Sequence, residues 1–137
     1  MTPRRCYLLH GLSGGGLISG VALAMKDAKP DLRVCGVSME RGAAMIEGQR
    51  AGKPVMVEEL PTLADSLGGG IGADNRYTFK IVRDLVDELV VVNKVEIANA
   101  IRHAYWQEKQ VIEGSGSVGI DGEPEAAPSS IVRSARP

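Results

Sequence analysis

Aromatic residues are scarce in this chain of 137 residues, which has one Phe, one Trp and three Tyr, 4% of the whole. A core built without them must rest on Val, Leu, Ile, Met and Ala. The 44% hydrophobic content supplies enough of these for one domain that buries roughly two thirds of its unfolded surface. Cysteine is nearly absent. Cys6 and Cys35 form no C-x-x-C pair, which argues against a zinc site. Cys35 stands in the apolar run Val34-Cys35-Gly36-Val37 and reads as a buried thiol in a reducing, cytoplasmic compartment. No apolar run approaches the roughly 20 residues of a membrane span, and the short run beside Arg4 and Arg5 is too brief for a secretory signal. An excess of one charge is also missing. Sixteen Lys and Arg against seventeen Asp and Glu give a net charge of −1, scattered along the chain, so neither nucleic acid nor an anionic membrane is an expected partner.

What is present is an alternation of strand and helix patterns. Residues 6–9 suit a short strand and residues 17–28 a helix with an apolar stripe at Leu17, Val21, Ala24 and Met25, stopped by Pro30. Residues 32–37 read as a buried strand, 40–51 as a helix, 52–72 as a long loop with the run Gly68-Gly69-Gly70, and 76–85 as a helix. Residues 88–92 are an apolar strand. Asn93 and Glu96 form a capping-box pair opening a helix to about residue 110, with a stripe at Val95, Ala98, Ile101 and Tyr105. Val111-Ile112 suits a further short strand, and Glu113-Gly114-Ser115-Gly116 is a turn that can open another helix. Such alternation predicts an α/β fold with a partial parallel sheet and flanking helices. Residues 121–137, rich in Pro, Ser and Ala, read as a disordered tail.

The strongest local signal is Ser13-Gly14-Gly15-Gly16-Leu17 leading into a helix. Adjacent glycines expose backbone N–H groups, and a helix start adds unpaired amides and a positive dipole end, which together cradle phosphate. A flexible turn is the plainer alternative. The dinucleotide fingerprint fails because Ser19 stands at its last glycine, with Gly20 one residue late. A Walker loop fails because no lysine follows before Lys26. The hydrolase elbow G-x-S-x-G does match at Gly11-Leu12-Ser13-Gly14-Gly15, with Ser13 as nucleophile, His103 as base and Asp65, Asp84 or Asp87 as orienting acid. Against it, His103 falls mid-helix and the chain is short. His10 beside the glycine loop, Trp106 as packing and Arg83, Asp84, Asp87 and Glu88 as a solvated face take their ordinary readings.

Several stretches in the same order resemble one family. Ser13-Gly14-Gly15-Gly16-Leu17-Ile18-Ser19-Gly20 is similar to the phosphate loop of fold-type II pyridoxal-phosphate enzymes, and Leu63-Ala64-Asp65-Ser66-Leu67 to that family's active-site loop. The stretches 81–87 and 111–119 resemble the serine/threonine dehydratase and serine racemase branch. Val37-Ser38-Met39-Glu40-Arg41-Gly42 resembles the hydroxyectoine-utilisation dehydratases in particular. The resemblance implies the large domain of the tryptophan synthase β-like fold over residues 13–120, pyridoxal 5′-phosphate as cofactor, and β-elimination from a hydroxy amino acid to a keto acid and ammonia. Carried over by position, Ser13, Gly14, Gly15, Gly16 and Leu17 hold the phosphate, Glu113 lies near the cofactor ring, and Asp65 and Ser66 line a substrate loop.

The departures set further expectations. None of Lys26, Lys29, Lys53, Lys80, Lys94 or Lys109 occupies the family's Schiff-base motif, so no catalytic residue is assigned. The family's pyridine-nitrogen partner has no match after Gly119. Where some relatives hold a divalent cation, the positions here are Ser38, Gly42 and Ala44, so no strong metal site is expected. Residues 1–12 and 121–137 differ from the family's flanks, as a truncated or frame-disrupted product would. Three readings follow. The first is a dehydratase-like fragment, inactive alone and completed by a second copy or a complementing half. The others are a non-catalytic phosphate-binding remnant and a small serine hydrolase.

Overall fold

The computed structural model describes residues 7–121 and 131–133. Four strands form one sheet in the order β1 (Tyr7–Gly11), β2 (Arg33–Met39), β3 (Glu88–Val92) and β4 (Ile131–Arg133). The first three run parallel, and β4 pairs antiparallel with β3. Between them lie the helices α1 (Gly16–Ala28), α2 (Ala44–Ala51), α3 (Thr78–Leu85), α4 (Lys94–Trp106) and α5 (Gly114–Asp121), with a 3-10 turn at Asp65–Leu67. The expected α/β class with a parallel sheet is what the chain adopts. Residues 7–11, set apart in the sequence as an atypical end, are the first strand of that sheet.

Both faces of the sheet are covered, which explains why β2 reads as a continuous apolar run. All of Val34 to Met39 is buried. Alternate residues serve opposite layers. Val34 and Leu89 pack with Ile18, Ala22, Met45, Phe79 and Val82 from α1, α2 and α3. Cys35, Val37, Val90 and Val92 pack with Ile97 and Val118 from α4 and α5, and with Ala64. Burial raises the Cys35 thiol to about pKa 12, with the nearby Glu88 carboxylate adding to the effect.

Several expectations change on contact with the tertiary structure. The buried residues of α1 are Ile18, Ser19 and Ala22, whereas Leu17 and Met25 of the expected stripe face outward. In α4 they are Ile97, Ala100 and Ala104, while Val95 and Tyr105 are exposed and Ile101 is half-buried. Both helices carry small or apolar residues around a wide arc, so periodicity alone does not choose the stripe that meets the sheet. Helix α2 starts at Ala44 because Glu40 N–H first bonds the Val92 carbonyl at 3.0 Å, and Gly42 then turns with φ 75°. Helix α4 ends at Trp106, after which Lys109 takes a left-handed φ of 56° and Gln110 N–H closes on the Ala104 carbonyl. Val111 is 87% exposed and forms no strand. Ser38, one of the compared cation positions, is fully buried and its hydroxyl donates to Met39 Sδ at 3.5 Å.

Two of the charges assigned to a solvated face are structural. Asp87 is nearly buried and accepts from Lys26 Nζ at 2.6 Å and Val34 N–H at 2.8 Å, tying the last turn of α1 to the sheet. Glu88 accepts from Arg33 at 2.9 Å. The β2–β3 register brings Glu88 to Arg33 and Asp87 to Val34, and the placement of α1 adds Lys26, so nothing local in the sequence announces these pairs. Of the expected tail, Asp121 is the last residue of α5 and 131–133 is strand β4, where Ile131 and Val132 suit an edge pairing. The rest of that tail and residues 1–6 lie outside the described residues.

Candidate active site

A cavity of about 500 Å³, the size of a small-cofactor site, opens at the carboxyl end of β1. Ligands bind parallel α/β sheets at that end because the connecting loops and helix starts converge there. One wall is the end of β1, the loop Ser13–Gly16 and the first residues of α1. The other is the start of α5, and Leu67 lies between them.

The loop wall forms for local reasons. After Gly11 the chain continues the ladder by one bond, Leu12 N–H to the Val37 carbonyl at 2.7 Å, and the Leu12 side chain enters the core. Gly15 then takes φ 86°, a left-handed conformation that L side chains rarely adopt. A methyl there would lie 2.9 Å from both Met45 Cε and Val82 Cγ2. Gly14 and Gly16 differ: a methyl on either meets nothing within 4 Å. Among the described residues, no backbone N–H from Ser13 to Ile18 reaches a backbone carbonyl, and no side chain caps α1. The first closing bond is Ser19 N–H to the Gly15 carbonyl at 3.0 Å. The wall is therefore a set of unpaired donors at a positive helix end, with space in front of two glycines.

The opposite wall is arranged differently. Glu113 uses both carboxylate oxygens to cap α5, accepting from Ser115 N–H at 2.7 Å and Gly116 N–H at 2.9 Å. Gly114 sits so close to the preceding loop that a methyl there would overlap the Leu63 carbonyl oxygen. Ser117 Oγ donates to the Gly114 carbonyl at 2.8 Å. The Ser115 hydroxyl is buried without a partner among the described residues. At the end of β1, His10 Nδ1 donates to the Gly11 carbonyl at 2.7 Å, leaving Nε2 as the acceptor nitrogen of the neutral ring.

Ser13, Gly14, Gly15, Gly16, Leu17 and Glu113 all line this cavity. Asp65 and Ser66 do not: both are exposed on the 3-10 turn, which presents Leu67 instead. A three-residue turn points successive side chains in different directions, and the sequence resemblance at 63–67 carries no information about which one faces inward. The hydrolase constellation is not assembled. His103 lies on α4 with Nε2 3.5 Å from Glu108, Asp87 is held by Lys26, and Asp84 by Lys80. Neither His103 nor any of the three aspartates lines the cavity with Ser13. Ser115 was missed as a lining residue because a serine in a glycine-rich turn gives no signal of burial. None of the six lysines lines the cavity either.

Comparison with known proteins bears on the same residues. The family model described as "Pyridoxal-phosphate dependent enzyme" matches residues 2–130. A Sinorhizobium fredii protein assigned by its name to the threonine dehydratases is 54% identical over 118 residues, which are 86% of this chain and 36% of that protein. An L-threonine ammonia-lyase of Thermotoga maritima is 44% identical over 109 residues, 80% of this chain and 27% of the relative. Among solved structures, maize serine racemase superposes with a TM-score of 0.78 at 35% identity, over 88% of this chain and 37% of that one. The chain thus spans about a third of the length of the relatives it matches.

Proposed function

Since the chain belongs to the family of pyridoxal-phosphate-dependent enzymes, we propose that its glycine loop is the phosphate-holding wall of an ammonia-lyase site for a small hydroxy amino acid. The observation that carries this reading is the open row of amides from Ser13 to Ile18 at the uncapped start of α1, facing a cavity of about 500 Å³. An anion fits that row in charge, and the bare Gly14 and Gly16 leave it room. When bound, pyridoxal phosphate supplies the electron sink for cleavage at the amino-acid carbons.

The chain's own residues then have limited roles. The Ser13–Leu17 segment binds and orients the phosphate. Glu113 fixes the start of α5 and so sets the opposite wall, and its carboxylate is committed to that cap rather than to proton transfer. His10 lines the cavity from β1, with Nε2 as the acceptor nitrogen of the neutral ring. The covalent step of this family's chemistry needs an amine, and no lysine of this chain lines the cavity. None of the six lysines is placed to supply that amine, so these 137 residues by themselves are expected to show no β-elimination activity.

An absorbance titration with pyridoxal phosphate tests the reading, followed by borohydride reduction and peptide mapping. Saturable binding that inorganic phosphate displaces, with no cofactor fixed to a lysine, is expected. Cofactor fixed to one defined lysine would overturn the inactivity of the isolated chain. Binding indifferent to phosphate would overturn the role of the loop. A serine-reactive phosphonate should leave Ser13 unlabelled.

A further inference from the structure

The peptide between Gly14 and Gly15 is held from behind by α3. Thr78, the first residue of that helix, places its hydroxyl 2.7 Å from the Gly14 carbonyl. The same hydroxyl lies 3.0 Å from Asn75 Oδ1, but that oxygen already accepts the Phe79 N–H at 3.0 Å. Asn75 Nδ2 donates to Thr78 Oγ1 at 2.9 Å and to the Ile71 carbonyl at 3.0 Å, which fixes the amide's orientation. The hydroxyl has one proton to give, and the shorter contact, to Gly14, takes it.

The carbonyl and the N–H of one trans peptide plane point in opposite directions. With the Gly14 carbonyl drawn toward α3, the Gly15 N–H faces away from α3, toward the cavity that Gly14, Gly15 and Gly16 line. This peptide needs such a restraint more than its neighbours do. It joins two glycines, and a Gly-Gly plane can turn over at little steric cost. Turned over, it would present a carbonyl oxygen to the cavity and repel an anion. The packing of Met45 and Val82 fixes where Gly15 sits but forms no hydrogen bond with the plane, so it does not choose between the two orientations.

We infer that Thr78 is a positioning residue for anion binding, holding the Gly14–Gly15 peptide so that the Gly15 N–H donates to a bound phosphate. The inference rests on the phosphate-binding reading of the loop and adds a residue from another helix that makes the loop competent. Neither the loop motif nor the cavity lining includes Thr78.

The test is a titration of the ¹⁵N-labelled full chain with inorganic phosphate, followed by amide NMR, for wild type, T78V and T78S. In wild type the Gly15 amide should shift saturably, together with those of Gly16 and Leu17. T78V, which keeps the shape and loses the proton, should bind phosphate about tenfold more weakly or worse. T78S should return to within about twofold of wild type, a rescue that a purely packing role for the threonine methyl would not give. Equal affinity in T78V and wild type would overturn the role of Thr78 while leaving the anion site standing. No response to phosphate anywhere in the wild-type loop would overturn the phosphate reading and this inference with it. If T78V does not fold, wild type alone decides: a Gly15 amide that stays still while Gly16 and Leu17 move would overturn the proposal.

Discussion

Helices α1 and α4 are thirteen residues long and both begin at the end of a parallel strand, yet their first turns are treated in opposite ways. At α4 the amides are closed. Asn93 Oδ1 accepts from Val95 and Glu96, and Glu96 reaches back to Asn93 N–H at 2.6 Å, completing a capping box. At α1 a left-handed glycine precedes the helix and no side chain caps it. One helix end is satisfied within its own sequence, and the equivalent end stays open beside a cavity, as the proposed anion site requires. With glycine at the cap this end forgoes only about a few tenths of a kcal/mol of local stability, and a ligand anion can supply the missing partner.

Five substitutions probe this contrast. The largest effect is expected at Gly15. G15A forces a methyl into Met45 and Val82 at a left-handed φ, so urea unfolding should show a loss of about 2–4 kcal/mol, together with loss of phosphate binding. G14A separates the two properties: its methyl meets nothing, so stability should stay within about 0.5 kcal/mol of wild type while phosphate affinity falls because the methyl enters the cavity. If G15A were as stable as G14A, the loop would not be the rigid wall described above.

The far end of α1 comes next. D87A removes the acceptor of Lys26 and Val34 N–H and should cost about 2–3 kcal/mol in the same unfolding assay, since charge-assisted bonds in a nearly buried site are lost. A smaller effect comes from the core between these helices. Below pH 9.0 both folded and unfolded chains hold the Cys35 proton. Above it the unfolded chain releases the proton and the folded chain does not until about pH 12. Stability should therefore fall as pH rises through that window, by ~1.4 kcal/mol at pH 10, and this component should vanish in C35A. N93A should cost about 1 kcal/mol, with no change in phosphate binding. A change in phosphate affinity in N93A would blur the distinction between the two helix starts.

The sequence made one of these two ends legible more fully than the other. Asn93 and Glu96 announce a cap by identity and spacing, and the box forms as expected. The Ser13–Leu17 loop announces open amides, but the partner that orients it, Thr78, lies 64 residues away from Gly14 and is brought there only by packing of α3 on α1. The same division runs through the molecule. Strand β3 was readable because Leu89 to Val92 are four consecutive apolar residues in a sheet covered on both faces. The buried faces of α1 and α4 were not, because Leu17 and Ile18, or Val95 and Ile97, are equally apolar and only the sheet decides between them. Asp87 and Glu88 looked like surface charges because their partners Lys26 and Arg33 are remote in sequence. Asp65 and Ser66 carried a family likeness, but the direction of a single turn sends Leu67 inward in their place.

The contact between Gly114 and the Leu63 carbonyl has a consequence for how α5 is seated on the loop that leads to Leu67. Elsewhere in the core, spacing between elements depends on side-chain volume, and a substitution can shift it by fractions of an ångström. Here main chain rests on main chain, so the distance from α5 to the loop beneath it behaves as a gauge block. Sequence changes in the surrounding core can alter how firmly α5 is held while leaving its distance from residue 63 the same. A side chain at position 114 itself would push α5 off that loop at once.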